Sequence, residues 1–421
     1  MMQANAMARP IIYHDLQLDC FTGWGIFGLN FTKYAILQGY RVIVLSRNLP
    51  ELKHFPFMDA ALFKHVFEHS KPYHDKITRK EIIKDPNGIF VTHMSWGEEM
   101  RQNHPFLEVG RQIGVVFYEE IRHARKYAPK LTDTYDYVIC GSRWNARHLI
   151  ENGYARAVTI WQGVDSNYFY PRLAPLVDDG LFNIFSGGKL DLRKSQDIVL
   201  EAFAKIQDKI PHVRLISQWR WWEECKVAKL MNEARFMKYP WIIEQDENQT
   251  EKVNYRETAR QYGIKPDRFM MLGTMPYWIS PGHLNQCHMA IFPNRAEGGT
   301  NLVAMEAIGS GLPTILSNNT GQKDLFEICP LAHELGLKQS RTIIELDEQG
   351  QVDPTSRMAE WGWPDTDELA DNILRTYHHY QKHRENAHKM AHQIADYRWE
   401  VQVSKMLDLI IHDKFPADIN P

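Results

Sequence analysis

Residues 291–324 read IFPNRAEGGTNLVAMEAIGSGLPTILSNNTGQKD. An apolar run ends at Pro293 and Glu297 stands in a loop. Gly298, Gly299, Thr300 and Asn301 then lead straight into a helical pattern from Leu302 that carries Glu306, and a second apolar run follows at 313–316. Strand, helix and strand at this spacing form a βαβ unit, which places the two strands parallel. Glycine lets a backbone come close to a ligand. The unpaired N–H groups of a helix start, with their partial positive charge, suit a phosphate. A carboxylate beside a phosphate would be repelled unless it accepts hydrogen bonds from hydroxyl groups. The stretch therefore describes a site for a ligand bearing both. A helix cap with two incidental glutamates is the plainer reading, but Gly-Gly-Thr-Asn is unusual turn chemistry for it.

The same alternation extends in both directions. Upstream, apolar runs at 11–18, 41–46, 88–92, 113–118, 137–140 and 157–160 alternate with amphipathic segments such as 29–38 and 143–152. After a Pro-containing break at 163–180 the pattern restarts, with strands at 182–186, 213–217, 269–272 and 289–292 and helices at 195–207 and 302–310. The expected fold is α/β: two Rossmann-like domains facing a central cleft, with ligands beyond the carboxyl ends of the strands. The expected divisions are 1–165, 166–390 and a C-terminal segment 391–421, whose amphipathic spacing at 401–411 predicts a helix. The Trp-rich stretch 219–260 reads as one or two inserted helices, more simply a surface elaboration than an acceptor or oligomer surface.

A second chemical segment is 181–203, LFNIFSGGKLDLRKSQDIVLEAF. Lys189, Arg193 and Lys194 follow Gly187-Gly188 past a strand's carboxyl end, where cations can neutralise a diphosphate leaving group as charge builds on it. Alone, the cluster reads equally well as a solvated basic loop. In the first half, TGWGIFGLN (22–30) places Gly23, Gly25 and Gly28 in a formal GxGxxG. The second strand, however, ends in Ser46-Arg47 and not in the acidic residue a nicotinamide enzyme needs. An NADP-linked oxidoreductase survives that test but leaves 291–324 unexplained. His93, in VTHMSWGE at another strand end, is a candidate cleft residue, with Ser142 and Arg143 weaker ones. Asp365-Thr366-Asp367 spells DxD, better read as a helix N-cap than as a metal site.

The 421 residues carry a formal charge of −3, from 49 basic and 52 acidic side chains. That balance argues against a general nucleic-acid binder. Five scattered cysteines without CxxC pairs predict neither a disulfide framework nor a zinc site. The first ten residues lack the apolar core of a secretory signal, and no stretch approaches the ~20 apolar residues that span a bilayer. The expectation is a cytoplasmic protein.

GGK-x4-K at 187–194, preceded by WQGVD (161–165) and followed by EGGTNLVAME (297–306) and G-x-P (311–313), resembles the family-4 retaining glycosyltransferases of GT-B fold. The likeness runs from the glycines near residue 23 to Asp324. It implies a nucleotide-sugar donor bound mainly by the second domain, an acceptor on the first, a C-terminal helix packing back on the first domain, and no cofactor or metal. Because such a site is split between the lobes, their closure over the donor is expected. The acceptor would be a glycan, a lipid-linked saccharide or a small molecule; many similar enzymes use lipid-linked acceptors, which admits peripheral contact with a membrane. Lys189 and Lys194 match the basic pair that contacts the diphosphate, with Arg193 as a further contact. Glu297 and Glu306 match the glutamates that take sugar and ribose hydroxyls, and Gly298, Gly299, Thr300, Asn301 and Leu302 line the donor. Gly23, Gly25 and His93 fall in the first domain's side of the cleft. Two departures stand out. Lys189 occupies a position usually held by arginine, and eight residues separate Glu297 from Glu306 where the family has seven. A non-catalytic glycan- or nucleotide-binding protein of the same fold is the rival reading.

Overall fold

In a computed structural model, which describes residues 9–46, 49–94, 104–172, 179–233, 237–338, 340–341, 345–346, 352–353 and 360–416, the alternation resolves into two parallel sheets. The first holds β1 (Ile11–His14), β2 (Arg41–Val44), β3 (Ile83–His93), β4 (Leu107–Val116), β5 (Tyr137–Cys140) and β6 (Ala157–Thr159), in the spatial order 2-1-3-4-5-6. Its helices are α1 (Gly23–Leu37), α2 (Phe57–Thr78), α3 (Ile121–Leu131) and α4 (Arg143–Glu151). Arg47, residues 95–98 of the VTHMSWGE run and Pro175 lie outside the described residues.

The second sheet is built from β7 (Phe182–Gly187), β8 (Val213–Gln218), β11 (Phe269–Met271), β12 (Met289–Phe292) and β13 (Thr314–Leu316), ordered 11-8-7-12-13 and parallel throughout. Between β7 and β8 runs α5 (Gln196–Ile206). Between β8 and β11 come α6 (Glu224–Glu233), the hairpin β9 (Ile243–Gln245) and β10 (Glu251–Val253), and α7 (Tyr255–Gln261). Then follow α8 (Ser280–Leu284), α9 (Leu302–Gly309), α10 (Asp324–Ile328), α11 (Thr366–His378), α12 (Tyr380–Ile394) and α13 (Trp399–His412). Strands buried on both faces read as continuous apolar runs because helices cover them. In α9, Leu302, Ala304, Met305, Ala307 and Ile308 are all buried, the mark of a helix enclosed on every side.

Three expectations need correcting. The run 11–18 is strand only to His14, because Asp19 then folds the chain into a turn, accepting the amides of Phe21 and Thr22 at 2.7 Å each. The helical segment predicted at 29–38 begins instead at Gly23, so the formal GxGxxG lies inside it. Thr22 caps α1, accepting the Gly25 amide at 3.0 Å, and the glycines lie in the helix. The stretch 219–260 is not wholly peripheral: Trp219 is fully buried against Trp241, Tyr255 and Phe269, so it roots the hairpin and α7 in the second core.

The chain passes between the sheets twice, at adjacent points. Val164 donates to the Tyr397 carbonyl at 3.1 Å, and Trp399 donates to the Val164 carbonyl at 3.3 Å. Gly163 is required there, since a Cβ would lie 2.5 Å from the Trp399 backbone. Beyond this crossing α13 packs on α1 of the first lobe. Asp365 accepts the Glu368 amide at 2.7 Å as the N-cap of α11, and Asp367 pairs with Lys205.

Candidate functional site

The carboxyl ends of the two sheets face each other across a cavity of about 510 Å³. Gly188, Lys189, Arg193 and Lys194 line one side, Glu297 to Glu306 a second, and Gln17 to Ile26, Phe117, Glu119 and Gln162 the wall from the first lobe. The two segments singled out in the sequence thus open into one cavity. Neighbouring contacts bring the lobes together. Ser142 Oγ donates to the Gly298 carbonyl at 2.6 Å, Trp278 Nε1 to the His54 carbonyl at 2.8 Å, and Trp361 Nε1 to the Glu119 carbonyl at 2.7 Å.

Residues 188–195 form a tight loop after β7. Gly188 sits at φ 106°, and Ser195, entering α5, at φ 58°. A non-glycine residue held there costs about 1–3 kcal/mol, so its surroundings must impose it. Arg295 does so. Fully buried, it forks onto Asp197 at 2.9 and 2.7 Å and donates to the Leu192 carbonyl at 2.9 Å. Its backbone amide donates to the Arg193 carbonyl at 2.7 Å. The cation loop and the loop before α9 are therefore one rigid unit.

Within it Glu297 is the electrostatic centre. It accepts from Arg193 at 2.9 Å, pairs closely with Lys194, and also accepts from the Asn294 amide group. Burial lowers the pKa of the Lys194 ammonium, with Glu297 pulling the other way. Lys189 lies apart at the cavity mouth, its ammonium 4.5 Å from the Trp221 ring centroid and 3.9 Å from Asp191.

Glu306 projects from α9 into the same cavity and is almost fully buried. Among the described residues none donates a hydrogen bond to its carboxyl. Burial, with a smaller contribution from Asp165, raises its pKa to about 8. Such a carboxyl is neutral in the folded protein at pH 7 but ionised in the unfolded chain above about pH 4.5. It therefore costs nothing at low pH, and its cost grows as pH rises from about 4.5 to about 8. Glu306→Gln should remove that slope. Melting temperatures from pH 5 to 8.5 should show the wild type losing stability relative to the variant, by a difference on the order of a few kcal/mol. Parallel curves would show that Glu306 titrates normally.

The remaining candidates are distributed unevenly. Gly299, Asn301 and Leu302 line the cavity. The side chain of Asn301, at φ 69°, makes no capping bond to α9 and donates to Gln322 at 2.9 Å. The first-turn amides of α9 are accordingly left without a side-chain cap. Thr300 turns inward, fully buried with its hydroxyl against Met305. Gly298 has a role the sequence did not suggest: a Cβ there would overlap the Phe117 carbonyl of the first lobe, so the glycine permits lobe contact. Gly23 lines the cavity, whereas Gly25 lacks a side chain because the Asp19 carboxylate occupies that space. His93 accepts the Gln17 amide at 2.8 Å and meets Trp24 edge-on. It lines a second cavity, of about 820 Å³, on the far side of Gln17 and bordered by Asp15, Asp19, Thr92 and His104. Two residues escaped the sequence reading altogether, Arg295 and Glu119. Glu119 Oε1 reaches Arg193 across the cleft at 3.3 Å.

Residues 281–406 match a family model described as Family 4 Glycosyltransferase in conflict systems. The chain has the GT-B fold. Among solved structures, this GT-B chain is similar to a sucrose-phosphate synthase from Thermosynechococcus elongatus, with 18% identity and TM-score 0.59 over 96% of this chain and 98% of that one. A glycosyltransferase from Rickettsia africae matches at 12% identity and TM-score 0.62, over 96% and 98%. HepE of Anabaena, in complex with UDP and glucose, matches at 13% and 0.58, over 97% and 100%. Identities this low speak to the fold alone. Comparison with curated protein sequences finds no match. No helix among the described residues is long and apolar enough to cross a membrane.

Proposed function

We propose that the protein is a retaining glycosyltransferase that moves a hexosyl group from a nucleotide-diphosphate sugar to an acceptor hydroxyl, without a cofactor or metal. The observation that carries this is the convergence, on one interlobe cavity, of buried cations, the uncapped first turn of α9 and the unpaired Glu306 carboxyl. The cations and N–H groups suit a diphosphate. Glu306, nearly dry and without a donor, suits a ribose hydroxyl pair. Glu297, beside those cations and held by Asn294, suits the sugar. The cavity beyond Gln17, bordered by Asp15, Asp19, Thr92 and His104, has the size for an acceptor, which would be a glycan, a lipid-linked saccharide or a small molecule.

In this reading the acceptor oxygen attacks the anomeric carbon as its bond to the diphosphate breaks. The departing phosphate oxygen takes the hydroxyl proton on the same face, which retains configuration. The protein contributes position and charge. The dinucleotide reading of 22–30 loses support because Gly25 and Gly28 pack against the 17–19 turn.

A thermal-shift panel of UDP-, GDP- and ADP-sugars tests the donor. A true donor at ~100 Kd should add about 2.7 kcal/mol of stability. Its transfer product, analysed by NMR, should keep the donor's anomeric configuration. Silence across the panel would overturn the reading, and binding without hydrolysis or transfer would favour a non-catalytic binding protein. A cytoplasmic location, with peripheral membrane contact if the acceptor is lipid-linked, goes with this proposal.

A further inference from the structure

The cavity's cations are already matched, Arg220 by Glu224 at 3.1 Å. Lys189, Arg193 and Lys194 face three carboxylates, Asp191, Glu297 and Glu119, all within 4.0 Å ion-pair reach. Arg193 alone touches all three, at 2.9 Å for Glu297, 3.2 Å for Asp191 and 3.3 Å for Glu119. The site before ligand entry is therefore formally neutral, and the diphosphate of a nucleotide sugar brings two further negative charges. Something must give.

The three carboxylates are not equally held. Asp191 also accepts the Arg193 amide at 3.2 Å and borders Lys189. Glu297 is held by Lys194 and Asn294 as well, and its own amide donates to Thr320 Oγ1 at 2.8 Å. Glu119 belongs to the opposite lobe, in the turn between β4 and α3, and among the described residues Arg193 is its one ion-pair partner. Its backbone is pinned by Trp361.

We propose that Glu119 competes with the donor's diphosphate for Arg193, so that donor binding makes the Glu119 carboxylate release the guanidinium and take up a proton from solvent. The groups facing it are Arg193, Asp191 and Lys189 on the cation loop and Glu297 on the loop before α9. Burial already raises the Glu119 pKa to about 7, with Asp191 and Glu297 acting in the same direction and Arg193 and Lys189 opposing. An arriving diphosphate adds negative charge and removes the Arg193 contact; both favour the protonated form further. Donor affinity should therefore be highest below pH 7 and fall above it. This rests on the donor reading of the cavity and adds a proton-linked competitor to it.

The test is calorimetric titration with UDP-, GDP- and ADP-glucose, whose diphosphates carry no ionisable proton near neutrality. It would be run at pH 6, 7 and 8 in two buffers of different ionisation heat. The wild type should take up as much as one proton per donor bound above pH 7, and Kd should weaken by up to ~10-fold per pH unit there. Glu119→Gln, which cannot titrate at that position, should take up fewer protons per donor than the wild type above pH 7, with a flatter Kd profile that is tighter than wild type at pH 8. Donor binding without proton uptake by the wild type, or an unchanged pH slope or weaker binding at pH 8 in Glu119→Gln, would overturn the proposal while leaving the donor reading intact. Should the variant not fold, the wild-type proton count decides alone. If none of the three sugars binds, the donor reading and this proposal fall together.

Discussion

Lys194→Ala is expected to lower kcat by at least ~100-fold with little change in melting temperature. Losing one preorganised group that stabilises developing charge typically costs 10²–10³-fold. Lys194 fits that role because its ammonium is almost dry, lies in the cavity, and sits on a loop that Arg295 locks to the start of α9. In a low-dielectric setting a charge acts strongly on a departing phosphate, and a locked loop pays no reorganisation when the bond breaks. The fold should tolerate the change, since Glu297 keeps Arg193 and Asn294 as partners. Lys189→Ala provides the contrast. That ammonium is half exposed at the mouth over Trp221, where solvent screens it, so a KM effect with a smaller loss of kcat is expected. Near-normal kcat in Lys194→Ala would remove it from the mechanism.

The contrast marks what spacing along a chain can and cannot convey. The parallel strands were legible because burial on both faces leaves nearly unbroken apolar runs, and the α9 unit because Gly-Gly-Thr-Asn before an apolar helix has few other uses. The glycines at 23, 25 and 28 misled because glycine serves two purposes, a turn or a close approach. At Gly25 and Gly28 the approach is of the 17–19 turn to a helix, which local pattern does not distinguish from a phosphate loop. Trp219 looked peripheral among charged neighbours, yet its ring fills the second core. Arg295 and Glu119 carry no local signature at all. Arg295 matters because it reaches Asp197, 98 residues away, and Glu119 because the lobes meet. Likewise nothing in the order Gly188-Lys189 says that Lys189 stacks on Trp221 while Lys194 turns inward.

A chain ending at Ile394 is expected to lose its cooperative fold. The segment beyond it contributes Trp399, Val403, Met406, Leu407, Leu409 and Ile410 to the apolar cluster that runs through both lobes. At ~1.5–3 kcal/mol for each large side chain removed from water, their loss is on the order of 10 kcal/mol. That is comparable to the whole stability of an ordinary domain, about 5–15 kcal/mol. Polar anchors go with them. Arg111 donates to the Ile410 carbonyl at 3.0 Å and to Asp413 at 2.7 Å, and Ser404 Oγ to Gln38 at 3.1 Å. The truncation also bares the α1 surface around Phe27, whose ring meets Trp399 edge-on at 6.0 Å, so the shortened chain should aggregate on expression. Trp399→Ala separates packing from chain length: it leaves α13 in place and should cost about 3–5 kcal/mol. Its melting transition should fall by several degrees or more while remaining cooperative. The crossing at Val164 is also where the lobes are tied by two backbone hydrogen bonds, so a truncated chain that melted like the full one would mean that the first lobe stands without α13. That outcome would contradict the continuous core.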